Sequence, residues 1–163
     1  MTGKVDRQNR GARKGPGVAG FTVLEILVVA LLVGTLAAIS IPIYFEALNA
    51  ARIARARADI KNISTTIDVR RLETGLYVNS LVEIGMDHVL DPWGKPYEYL
   101  RIEGTKNHGK ARKDKNLVPL NSDYDLYSKG RDGKSVSPLT AKASHDDVVR
   151  ANNGGFIGLG ADY

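Results

Sequence analysis

Gly20-Phe21-Thr22-Val23-Leu24-Glu25 opens directly into twenty residues, Ile26 to Phe45, that carry no charged side chain. At about 1.5 Å per helical residue that run spans roughly 30 Å, the thickness of a bilayer's hydrocarbon core, so the reading is one membrane crossing. Lys4, Arg7, Arg10, Arg13 and Lys14 precede the run, whereas Arg52, Arg55 and Arg57 follow it. This bias places the N-terminus in the cytoplasm and the rest of the chain outside. Glu25 stands at the head of the span, where a carboxylate costs roughly a few kcal/mol, and is therefore a functional candidate.

A basic region followed by an apolar run is also the pattern of a secretory signal peptide, and Thr35-Leu36-Ala37 or Ala37-Ala38 offers small residues for cleavage. Three features oppose that alternative. The apolar run exceeds an ordinary signal core, it passes without a turn into a helical pattern, and it is headed by Glu25.

The segment from Gly20 to Glu25, with its basic leader and apolar helix, resembles the class III signal of type IV pilins and type II secretion pseudopilins. The resemblance implies cleavage after Gly20 by prepilin peptidase, methylation of the new Phe21 amine and retention of the helix. It also implies that Glu25 pairs with the N-terminal amine of an adjacent subunit, so that polymerisation neutralises two buried charges together. Pro42 matches a position the family uses. Because it removes a backbone donor and crowds the carbonyl of Ala38, the helix is expected to kink or locally unwind there.

Beyond the span, Ile53, Ala56, Ile60, Ile63 and Ile67 recur at three- and four-residue steps, and Gly75 is a stop signal. One helix of roughly fifty residues is expected from Phe21 to about Thr74, its second half amphipathic. Pro96 to Ile102 alternates like a strand, and Tyr124-Asp125-Leu126-Tyr127 reads as another. Residues 103–122, with Lys106, Lys110, Arg112, Lys113 and Lys115, read as a solvated loop. The organisation expected is a leader 1–20, a membrane and assembly helix 21–45, and a head 46–163 that includes the amphipathic helix 46–74. The fold class is α+β, a long N-terminal helix packed on a small antiparallel sheet.

Asp91-Pro92-Trp93-Gly94-Lys95-Pro96-Tyr97, followed by Asp125-Leu126-Tyr127-Ser128-Lys129-Gly130-Arg131-Asp132-Gly133, is similar to the head of major pseudopilins of type II secretion. That resemblance implies one structural calcium ion in a C-terminal loop, carried by Leu126, Ser128, Asp132, Asp146 and Asp147. Calcium takes six to eight oxygens, which three carboxylates and backbone carbonyls could supply. The resemblance also implies a homopolymer filament, stored as single subunits in the bilayer and built with minor pseudopilins and an inner-membrane assembly platform. A surface pilus for adhesion or motility is the alternative within the class. A monomeric membrane-anchored binding or hydrolytic domain is the alternative outside it.

Composition closes other routes. The 163 residues contain no cysteine, which excludes disulfides, thiolate metal sites and cysteine nucleophiles. The net charge of +5 comes from 23 Lys and Arg against 18 Asp and Glu. Setting aside the leader's five bases and Asp6 leaves 18 against 17, so the basic balance does not indicate a nucleic-acid partner. His88, His108 and His145 are scattered and form no zinc motif. Asn121-x-Asp123-x-Asp125 lacks the glycine of an EF-hand, and Gly130 to Ser135 lacks the first glycine of a P-loop. No catalytic pattern is present, and a structural rather than enzymic role is expected.

Overall fold

The computed structural model describes residues 20–106 and 109–163; the leader's basic residues and His108 lie outside them. Helix α1 runs from Val23 to Thr74, 52 residues, with helical conformation unbroken across Pro42. The local unwinding expected at Pro42 is not what the structure shows. By hydropathy and length, α1 is apolar enough to cross a membrane. The chain divides into two compact units between Ile43 and Tyr44. In the first, the apolar side chains of α1 are exposed, among them Leu24, Leu27, Leu31 and Ile39.

The second unit is the head. Its sheet has four antiparallel strands in sequential order: β1 (Glu98–Arg101), β2 (Tyr124–Ser128), β3 (Val148–Ala151) and β4 (Phe156–Leu159). Side chains alternate across a strand, and here both faces are covered. Tyr124, Leu126 and Val148 join one core with Ala56, Ile60, Ile63 and Ile67 of α1. The isoleucines are the ones whose spacing marks the amphipathic face. Tyr127, Val149 and Ala151 point the other way, into a second core with Leu120 and Leu139. The helix ends at Gly75, where φ is +76° and the N–H donates to the Arg71 carbonyl at 2.7 Å. Glycine, with no Cβ to clash, adopts that left-handed conformation at least cost.

Two sequence readings are revised. Residues 103–122 are not simply a solvated loop, because Ala111, Arg112, Asp114, Leu120 and Asn121 are buried, with Leu120 in the second core and Arg112 and Asn121 bonded to Asp125 of β2. Strands β3 and β4 were not foreseen. Asn152-Asn153-Gly154-Gly155 between two short apolar runs is a hairpin signal that would have found them, and Asn152 and Asn153 do take positive φ.

Candidate functional site

At the head of α1, Thr22 and Glu25 satisfy each other. The Thr22 N–H and hydroxyl donate to Glu25 Oε2 at 2.8 and 3.0 Å, while the Glu25 N–H donates to Thr22 Oγ1 at 3.2 Å. This is a reciprocal capping box, and its Thr-x-x-Glu spacing was readable in the sequence. Glu25 thus has a structural occupation in the single subunit as well as the pairing expected of it between subunits.

The two head motifs meet through Asp91. Its Oδ1 accepts the N–H groups of Trp93 at 3.0 Å and Lys95 at 2.8 Å, which fixes the Pro92-Trp93-Gly94 turn. Its Oδ2 accepts the Ser128 hydroxyl at the end of β2. Lys95 then reaches the carbonyls of Gly130 and Arg131 at 3.3 and 3.4 Å. Tyr97 donates its hydroxyl to Asp59 of α1 at 3.0 Å, tying the same turn to the helix. Burial and the neighbouring Asp59 carboxylate raise the Tyr97 phenol above its ordinary range.

On the helix-facing side of the sheet, Arg150 pairs with Asp123 at 2.9 and 2.6 Å and lies 4.0 Å above the Tyr124 ring. Burial pushes the Tyr124 phenol up to about 12, against the pull of the Arg150 charge.

On the other side, Asp125 accepts the Arg112 N–H at 2.6 Å and the Asn121 side-chain amide at 2.9 Å. Burial raises its carboxyl; those two bonds and the Arg112 charge pull it back. The Arg112 guanidinium donates to Asp147 Oδ2 at 2.6 Å and to the Ser135 hydroxyl, and it stacks 4.4 Å above the Tyr127 ring. The Ser135 hydroxyl also lies 2.6 Å from Asp147 Oδ2. Sequence reasoning placed Arg112 in solvent and missed it; between Lys110 and Lys113 nothing local distinguishes it from its basic neighbours.

The expected calcium carboxylates do not converge. Leu126, which has only its backbone carbonyl to offer, places its side chain in the helix-facing core, and the Ser128 hydroxyl is engaged by Asp91 and the Gly130 N–H. Asp132 and Asp146 do meet, but through a backbone bond: the Asp132 N–H donates to Asp146 Oδ2 at 2.9 Å, and Asp132 Oδ1 accepts the Lys134 N–H at 2.7 Å. Asp147 points inward to Arg112. Among the described residues no three His, Asp or Glu side chains converge as a metal site. As arranged, a guanidinium holds Asp147 Oδ2, Oδ1 is buried without a partner, and no other carboxylate converges on it, so these residues do not fit a calcium ion, which needs many convergent oxygens.

An exposed N-terminal apolar helix headed by a capped glutamate, continuing into a head of four antiparallel strands, defines a pilin-like subunit. No family model and no solved structure matches the chain. Curated relatives do. The chain is 30% identical over 139 residues to the type II secretion system core protein G of Pseudomonas aeruginosa, covering 71% of this chain and 85% of that protein. It is 27% identical to the protein of the same name from Pectobacterium carotovorum, over 89% and 92% of the two chains, and 26% identical to that of Klebsiella pneumoniae, over 79% and 91%. The chain belongs to the type II secretion system core protein G family, the major pseudopilins.

Proposed function

We propose that this chain is the structural subunit that polymerises into a short periplasmic pseudopilus, supporting export of folded proteins across the outer membrane. The observation that carries the reading is the Gly20 to Glu25 signal joined without interruption to α1, in a chain related over most of its length to core protein G. The role is structural, not enzymic. Prepilin peptidase removes residues 1–20 and the Phe21 amine is methylated. The subunit waits in the inner membrane with its N-terminus cytoplasmic and its head, residues 46–163, in the periplasm.

Assembly then moves the apolar half of α1 from lipid into contact with copies of itself, with Glu25 exchanging its Thr22 partners for the amine of a neighbour. A charge-assisted bond between two groups that would otherwise stay charged in lipid favours the polymer. Pro42 leaves the Ala38 carbonyl without its helical donor, a weak point at which α1 can adjust in the filament. Minor pseudopilins and an assembly platform in the inner membrane complete the machine.

The test is complementation. In cells lacking the gene, the wild-type chain should restore type II secretion, and Glu25→Ala, processed and present at equal level, should not. Full secretion with Glu25→Ala would count against the assembly role, and failure of the wild-type chain to restore secretion would count against the function itself.

A further inference from the structure

The loop between β2 and β3 has to be held shut by something. Residues 129–147 offer few large apolar side chains. Yet Asp147, the last residue of this loop, is fully buried, and Ser144 is as well. A lone charged carboxylate in that position would be strongly unfavourable, and a facing cation is one way to hold it. The structure supplies one from within the chain. Arg112, 3% exposed, enters from the 103–122 segment, where its own N–H is fixed by Asp125 of β2. Its guanidinium bridges Asp147 to Ser135 and rests on Tyr127. One side chain therefore joins both arms of the loop to the sheet: Ser135 in the outgoing arm, Asp147 in the returning arm, and Tyr127 on the strand between β1 and β3.

We propose that Arg112 is the built-in cation of this head, replacing by a fixed guanidinium the calcium ion that the pseudopilin resemblance implies, so that the loop is ordered without a divalent metal. A second positive charge at Asp147 would be opposed by the first. The planar fork suits Arg112 for two oxygen partners and a ring at once, which a lysine ammonium does not match. The inference is independent of the filament reading, since it concerns the folding of one subunit.

The experiment is thermal melting of the full chain in detergent micelles, stripped with chelator and then supplied with excess calcium or magnesium. The melting temperature should be the same in all three conditions. A calcium ion bound at a hundredfold its Kd would instead raise it by roughly 8 °C, and that result would overturn the proposal. Arg112→Gln should lower the melting temperature by roughly 10 °C because it strands the Asp147 charge. Joining it to Asp147→Asn should return more than half of that loss, which a purely steric role for Arg112 would not allow. A single variant that melts like the wild type, or a double variant no better than the single, would refute the role of Arg112. If the single variant does not fold, the metal comparison on the wild type and the folding of the double variant decide the matter.

Discussion

Replacing Asp91 with alanine should be among the most damaging single changes in the head, although Asp91 is remote from the filament helix in sequence and has no catalytic task. It is 3% exposed, and its two oxygens take the Trp93 and Lys95 N–H groups and the Ser128 hydroxyl. Truncation removes three bonds to a charged acceptor and leaves donors beside β2 without a partner, each worth about 1–3 kcal/mol. Since the three are coupled through one turn, their losses will not add fully, and about 3–5 kcal/mol is expected in total. For a head of this size that corresponds to a fall in melting temperature of roughly 10–15 °C. Urea unfolding followed by fluorescence is the assay, and the single tryptophan, Trp93, sits in the affected turn. Ser128→Ala, which removes one of the three bonds together with the acceptor of the Gly130 N–H, should cost about 2–3 kcal/mol, less than the loss of Asp91 itself. If Asp91→Ala unfolds within about 1 kcal/mol of the wild type, the claim that this carboxylate joins the two head motifs is refuted.

Three further outcomes follow from the same geometry. Arg150→Ala should destabilise the head by about 3–5 kcal/mol, because it leaves Asp123 charged and unpaired; a denaturant midpoint unchanged from wild type would contradict it. Gly130→Ala would place a Cβ 2.1 Å from the Asp146 carbonyl oxygen at a backbone φ of +60°, so it should cost about 2 kcal/mol or more, read by calorimetry. For Asp125, whose raised carboxyl faces Arg112, Asn121 and Asp123, the folded chain binds its proton at higher pH than the unfolded chain does. Its contribution is therefore fully present below the unfolded value, near about 3.9, and is lost as pH rises through the raised folded value. Asp125→Asn should remove that part of the pH dependence from a series of urea midpoints, and an unchanged series would refute the assignment.

How much of this was legible in the sequence depended on whether a residue acts through its own periodicity or through a distant partner. The isoleucines of α1 declare their face because helical geometry repeats it, and each of the four from Ile53 onward that the head buries fully or in part stands on the predicted stripe. Gly75 ends the helix where expected. Tyr124 to Tyr127 alternates as a strand should, but the alternation hid a second fact: Asp125 is as buried as its apolar neighbours, because loop segments cover the face away from α1. That cover is built from Arg112, Ser135 and Asp147, which are 23 and 12 residues apart along the chain. No local pattern joins positions so separated, so the sequence suggests a solvated basic loop and a calcium-binding acidic pair rather than one buried ion pair. The same limit applied to Asp91, whose Asx turn is local and readable but whose bond to Ser128 crosses 37 residues.

The central claim is that residues 20–25 are a processing signal and that α1 is kept for assembly rather than discarded. Mass measurement of the chain recovered from membranes of cells containing prepilin peptidase tests it most directly. The account predicts a mature protein that begins at Phe21, carries one added methyl group on its amine, and retains the whole of α1. A chain beginning at Ala38, or one with residues 1–20 still attached, would contradict it.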